Sequence, residues 1–129
     1  MTQQEIIEGN KLIAEFMGLN IGHDGKKLDP GVFTVNGYIT TTTMLKYHSS
    51  WDCLMPVVEK IASTVIKGRP PFNSDQFVRV ELNVNGYVKI ENLRDTPIFT
   101  NVSIEGSLIN ATYKAVIQFI RWYNNQPKQ

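Results

Sequence analysis

The chain has one cysteine and two histidines among its 129 residues. A single thiol, Cys53, excludes an internal disulfide and fits a reducing compartment. His23 and His48 have no second histidine at helical spacing, no cysteine pair and no acidic cluster beside them, so metal binding is not expected. Asp24 to Asp29 in HDGKKLD lack the alternating ligands of a calcium loop and carry two lysines among them. Gly22, Gly25 and Gly31 do not have phosphate-loop spacing. Excess charge is missing too: 13 basic against 12 acidic side chains leave +1, which provides no field for duplex nucleic acid or an anionic membrane. No apolar stretch approaches the roughly 20 residues of a membrane span, and MTQQEIIEGN lacks a basic region followed by an apolar run. A cytoplasmic, soluble protein without cofactor or metal is expected.

What remains is globular composition, 42% hydrophobic and 19% charged, in a length that suits one domain over 1–129. Thr2-Gln3-Gln4-Glu5 reads as a reciprocal cap opening a first helix. Its apolar stripe is Ile6, Ile13, Phe16 and Met17, and Gly18 is its stop. A second helix is expected from Ser49 or Ser50 through WDCLMPVVEKIASTVIK, with Trp51, Leu54, Met55, Val58, Ile61, Ala62 and Val65 inward and Gly68-Arg69-Pro70-Pro71 ending it. A third, capped by Ser107, turns Leu108, Thr112, Ala115, Val116, Phe119, Ile120 and Tyr123 inward and ends before Pro127.

VNGY occurs at 35–38 and again at 84–87. At the second site a two-residue loop would set Leu82 against Lys89 and Val80 against Glu91. A three-residue loop, Val84-Asn85-Gly86 with Gly86 at positive φ, pairs Leu82 with Val88, Val80 with Ile90, Arg79 with Glu91 and Glu81 with Lys89. The second register is expected, and the same turn at Val35-Asn36-Gly37 would pair Phe33 with Ile39. IFTNVSIEG alternates Ile98, Thr100, Val102 and Ile104 as a further strand. Segment 19–48 is turn-rich, with a hairpin that could project as a flap. The fold class expected is α+β, an antiparallel sheet of three to five strands packed with three helices.

Three stretches, IAEFMGL at 13–19, YHSSWDCLMPVVEKI at 47–61 and AVIQFIRWYNN at 115–125, together resemble the phage ABA sandwich domain family of small phage and prophage proteins. The resemblance implies an α/β/α sandwich-like arrangement and a phage-type origin, hence the cytoplasm of an infected bacterium. It implies no reaction. Cys53 stands where that motif more usually has an aromatic.

A hydrolytic site would draw on His48 as base with Ser49 or Ser50 as nucleophile near Asp52, but neighbours in sequence are seldom arranged for that chemistry. The simpler reading makes the serines helix caps and Trp51 a core residue. Aromatic and basic side chains suggest a different use, since rings stack on bases and cations hold phosphates. Lys26, Lys27, Tyr38, Tyr47, His48 and Arg121 are the candidate ligand residues. The function expected is a non-enzymatic binding protein, a homo-oligomer (dimer or higher) that sequesters a cyclic nucleotide or ADP-ribose-type host immune signal as counter-defence. The alternatives are an accessory protein docking on a host or phage protein and, third, a small phosphodiesterase using His48 or His23.

Overall fold

The computed structural model describes residues 1–22, 24–35, 37–66, 76–92, 98–103 and 106–125. Helix α1 spans Gln3–Phe16. The Thr2 hydroxyl accepts from the Glu5 amide at 3.1 Å while the Glu5 carboxylate accepts from the Thr2 amide at 3.4 Å, the expected reciprocal cap. At the other end Gly18 leaves the helix at φ 76°, and the Lys60 ammonium donates to the free carbonyl of Phe16.

Helix α2 covers Trp51–Ala62, shorter than expected. Ser50 holds the N-cap position with extended backbone, but its hydroxyl makes no capping bond. The early end has a local cause. Ser63 and Thr64 both turn their hydroxyls back onto the Lys60 carbonyl at 2.9 Å, competing with the helix ladder just where the branched run Thr64-Val65-Ile66 begins. Val65 and Ile66 become strand β3 instead of a last helical turn. Helix α3, Leu108–Asn124, starts where the Ser107 hydroxyl accepts from the Asn110 amide at 3.2 Å. Tyr123, expected inward, is 42% exposed. It stacks on Phe119 and meets Phe16 edge-on at 5.9 Å, covering those rings from outside.

The fold class is α+β. Strands β3 (Val65–Ile66), β4 (Gln76–Asn83), β5 (Tyr87–Asn92) and β6 (Ile98–Ser103) form one antiparallel sheet in chain order. Strands β1 (Val32–Val35) and β2 (Tyr38–Thr41) form a separate hairpin. In the larger sheet Val78, Val88 and Ile90 are buried on one face against α2 and α3, and α1 packs on α3. The opposite face carries Arg79, Glu81, Lys89 and Glu91, whose charged atoms lie 3.3 to 3.6 Å apart in a closed ring of four contacts. Among the described residues no helix covers that charged face. Helices α2 and α3 thus lie on the sheet's buried face, and α1 packs on α3.

The two VNGY copies form different turns. In β4–β5 the pairs are Leu82↔Val88, Val80↔Ile90, Glu81↔Lys89 and Arg79↔Glu91, the expected three-residue loop. Burial of one face selects that register. Gly86, however, is not at positive φ. Its amide bonds the Asn83 carbonyl at 3.1 Å and the Asn85 amide bonds Asn83 Oδ1 at 2.9 Å, so Gly86 ends a turn begun at Asn83, a position that demands no left-handed residue. In β1–β2 Val35 pairs directly with Tyr38 and Phe33 with Thr40, a two-residue connection in place of the expected Phe33–Ile39 pairing. Gly37 there has φ 85°. Phe33 is buried and Val35 is partly buried on the same face of β1, but no residue of β2 is buried, so burial of β2 penalises neither register and the Asn-Gly loop preference decides. Gly37→Ala is expected to cost about 1 kcal/mol in denaturant unfolding, and Gly86→Ala no more than about 0.5 kcal/mol. A larger loss at 86 than at 37 would contradict these turn assignments.

Candidate functional site

Asn10 lies one helical turn after Ile6 and just before Ile13, on the stripe where α1 should be apolar, and it is 1% exposed. Its amide nitrogen donates to the Leu45 carbonyl at 3.1 Å and meets His48 Nδ1 at 3.2 Å. Its Oδ1 accepts from the Tyr113 hydroxyl at 3.0 Å, which also lies 3.1 Å from the Ile6 carbonyl. The Leu45 carbonyl can only accept, so it fixes the amide orientation. With the NH2 group facing it, His48 Nδ1 accepts and the imidazole carries its proton on Nε2. The His48 and Tyr113 rings meet edge to face at 6.1 Å. This node pins three parts of the chain together: α1, the 45–48 segment before α2, and α3. His48 Nδ1 is engaged, no hydrogen bond joins His48 to Ser49, Ser50 or Asp52 among the described residues, and no described buried side-chain polar atom lacks a partner. Among the described residues no group of three His, Cys, Asp or Glu side chains is arranged to hold a metal ion.

Tyr47 is 7% exposed beside this node, and burial together with the nearby Cys53 pushes its hydroxyl up to about 12 from 10.0. Burial raises Tyr113 further, against a smaller opposing pull from Arg121. Both groups stay protonated in the folded chain where an unfolded tyrosine ionises. Their contribution is thus complete below about pH 10; that of Tyr47 is lost as pH climbs from 10 to about 12, and the loss for Tyr113 extends to higher pH. For Tyr47 alone, two units correspond to about 2 to 3 kcal/mol, a large share of a domain's stability. In an alkaline titration, ionisation of Tyr47 and Tyr113, followed at 295 nm in variants retaining only these two of the five tyrosines, should coincide with loss of the far-ultraviolet helix signal. Ionisation well before unfolding would show that these hydroxyls are not held in the core.

Among the described residues no hydrogen bond joins any two of the six candidate ligand residues. Tyr47 belongs to the core and has no open ring face for a base. His48 is half-buried in the node. Arg121 is exposed in the last turn of α3. Lys26 and Lys27 lie in a small loop closed by the bridge Ile21↔Lys27 and by the Gly22 amide on the Lys26 carbonyl at 2.8 Å. Of the six, only Lys27 lines the cleft of about 210 Å³ between α1 and residues 27–33. Lys11, Glu15, Asn20 and Asp29 share that cleft, so its two lysines face two carboxylates. It is smaller than the roughly 300 to 1,000 Å³ usual for small-molecule sites.

Tyr38, the sixth, stands at the tip of the β1–β2 hairpin and is 78% exposed. Its neighbour Ile39 is 71% exposed and Met44, in the 3-10 turn Thr42–Met44 that follows, 66%. Adjacent strand residues point to opposite faces, so a strand exposed at both Tyr38 and Ile39 is uncovered on both sides. The hairpin is rooted in the core by Phe33, 1% exposed, with Val35 partly buried against it, and β2 carries no buried residue. No charged residue occurs from 32 to 45.

Sequence reasoning missed Asn10, Tyr113, Ile39 and Met44. Two signals were present for the first pair. Asn10 falls on an apolar stripe, and Gly9 sits in mid-helix, where glycine costs roughly 0.5 to 1 kcal/mol unless something must approach closely. A Cβ built on Gly9 would lie 2.3 Å from the Tyr113 hydroxyl. His23 and Arg69, invoked above, lie outside the described residues. No family model, curated protein or solved structure matches the chain.

Proposed function

We propose that the protein is a non-catalytic binding protein whose working surface is the β1–β2 hairpin with the turn after it, docking on a protein partner. The observation that carries this reading is the exposure of Tyr38, Ile39 and Met44 on a segment that has no charge and is anchored at its base. Large apolar side chains held out on a rooted hairpin favour protein recognition, where aromatic and Met anchors dominate affinity. The resemblance of 13–19, 47–61 and 115–125 to phage ABA sandwich proteins supports a phage accessory role, with a host or phage protein as the partner.

Capture of a nucleotide-derived immune signal is the second reading. It is supported by the Lys11–Lys27 cleft, but only Lys27 of the six candidate residues lines that cleft, which places this reading behind docking. Two measurements separate the readings. Tagged wild type and a Tyr38→Ser/Ile39→Ser variant, purified from phage-infected cells, should differ at least tenfold in one co-purifying protein while melting at the same temperature; equal recovery would reject docking through the hairpin. A thermal upshift with any cyclic dinucleotide or ADP-ribose derivative, lost in Lys27→Ala, would put signal capture first.

A further inference from the structure

We propose that the outer edge of β2 pairs with β2 of a second copy of this chain, joining two hairpins into one four-stranded antiparallel ribbon, β1-β2-β2-β1. The inference rests on reading the hairpin as the working surface and names one partner for it. In a two-residue hairpin the pair flanking the loop, here Val35↔Tyr38, exchanges both hydrogen bonds. Tyr38 and Thr40 therefore turn their N–H and C=O groups toward β1, Ile39 turns both of its groups outward, and Thr41 turns its N–H outward while its C=O also accepts the first bond of the 3-10 turn Thr42–Met44. Among the described residues nothing pairs with that outer edge. Tyr38 and Ile39 are both highly exposed, so both faces beside that edge are open as well.

Free edges are normally protected by lysine, proline, a bulge or a cover, and the run Tyr38-Ile39-Thr40-Thr41 has none of the residue-level protections. It is instead rich in branched and aromatic residues that suit a sheet. The absence of charge from 32 to 45 also says what fits there. A two-fold axis sets every residue near its own copy, so any charge in this run would meet a like charge, and this run has none. The register that uses both outward residues places Ile39 opposite Thr41 of the second copy, with Thr40 opposite Thr40 on the axis. Two backbone hydrogen bonds run from each Thr41 N–H to the Ile39 C=O of the other copy, and each Ile39 N–H uses the second lone pair of a Thr41 C=O whose first is taken by its own 3-10 turn. Because pairing uses the edge alone, the faces carrying Tyr38 and Ile39 widen into those of the ribbon and stay open to the docking partner. An edge contact is small, so association belongs to the micromolar range.

The test works on the whole chain with Cys53→Ala as background. Central antiparallel residues that do not exchange hydrogen bonds have Cα atoms about 4.5 Å apart, within reach of a disulfide. Thr40→Cys should therefore cross-link to a covalent dimer under mild oxidation, and Thr41→Cys, offset from its own copy, should not. Light scattering at about 100 µM should give twice the 14.7 kDa chain mass. Ile39→Pro, which removes an outward N–H without touching the bonds to β1, should return it to the monomer with an unchanged circular dichroism spectrum. A wild-type monomer at that concentration overturns the proposal, as does a dimer in which Thr40→Cys cross-links no faster than Thr41→Cys. A monomer that still loses its co-purifying protein in Tyr38→Ser/Ile39→Ser overturns self-pairing while leaving the docking function intact.

Discussion

Gly9→Ala is expected to lower the unfolding free energy by about 2 to 4 kcal/mol, although alanine is the better helix former by about 1 kcal/mol. The new methyl carbon would lie 2.3 Å from the Tyr113 hydroxyl oxygen, 2.5 Å from Ile117 Cδ1 and 3.0 Å from Tyr113 Cζ. The Ile117 methyl can rotate away. Tyr113 cannot: its ring is rigid, fully buried, and held by the Asn10 side chain and the Ile6 carbonyl. Relief must come from moving α1 off α3, which opens the node and the packing around Ile13 and Ala14. Removing the hydroxyl first should soften the clash, so Gly9→Ala should cost at least about 1 kcal/mol less in a Tyr113→Phe background. Equal costs in the two backgrounds, measured by urea unfolding, would show that Tyr113 is not what requires glycine at position 9.

The same helix shows how far the sequence can be read. The cap at Thr2 and the stop at Gly18 depend on residues within four positions of one another, and both stand as expected. The β4–β5 register was legible because one face is buried and the other carries alternating charges, two independent constraints on one alignment. In β1–β2 no residue of β2 is buried and neither strand is charged, and reasoning carried over from the first hairpin failed there. The end of α2 was misjudged because apolar spacing continues through Val65, whereas the backbone responds to two hydroxyls that reach Lys60 first. The node was invisible for another reason. Asn10 meets partners 35, 38 and 103 positions away, and nothing local distinguishes a satisfied buried amide from a solvated one. For the candidate ligand residues, residue type shows what a side chain can bind but not where it stands: Tyr47 is taken up by the core and His48 by its bond to Asn10.

Asn10→Ala should be the most damaging single polar truncation, about 3 kcal/mol or more. The substitution strips the Leu45 carbonyl and His48 Nδ1 of their donor and the Tyr113 hydroxyl of one of two acceptors, inside packing that admits no solvent to Asn10. Asn10→Asp should cost no less. It is nearly the same size but can only accept when ionised, and it would hold a carboxylate oxygen against the Leu45 carbonyl at about the present 3.1 Å. The location of the damage matters as much as its size. Residues 45–48 close the segment that bears the hairpin, and Asn10 is the side chain that ties their backbone to α1. Local opening should therefore rise first at Leu45 to His48 and along β1–β2, while the centre of α3 and strand β5 stay protected. Hydrogen exchange on Asn10→Ala under native conditions measures this directly. Acceleration confined to 32–48 would identify the node as the anchor of the docking hairpin; uniform acceleration across α3 and β5 would make Asn10 a general core residue with no special hold on that surface.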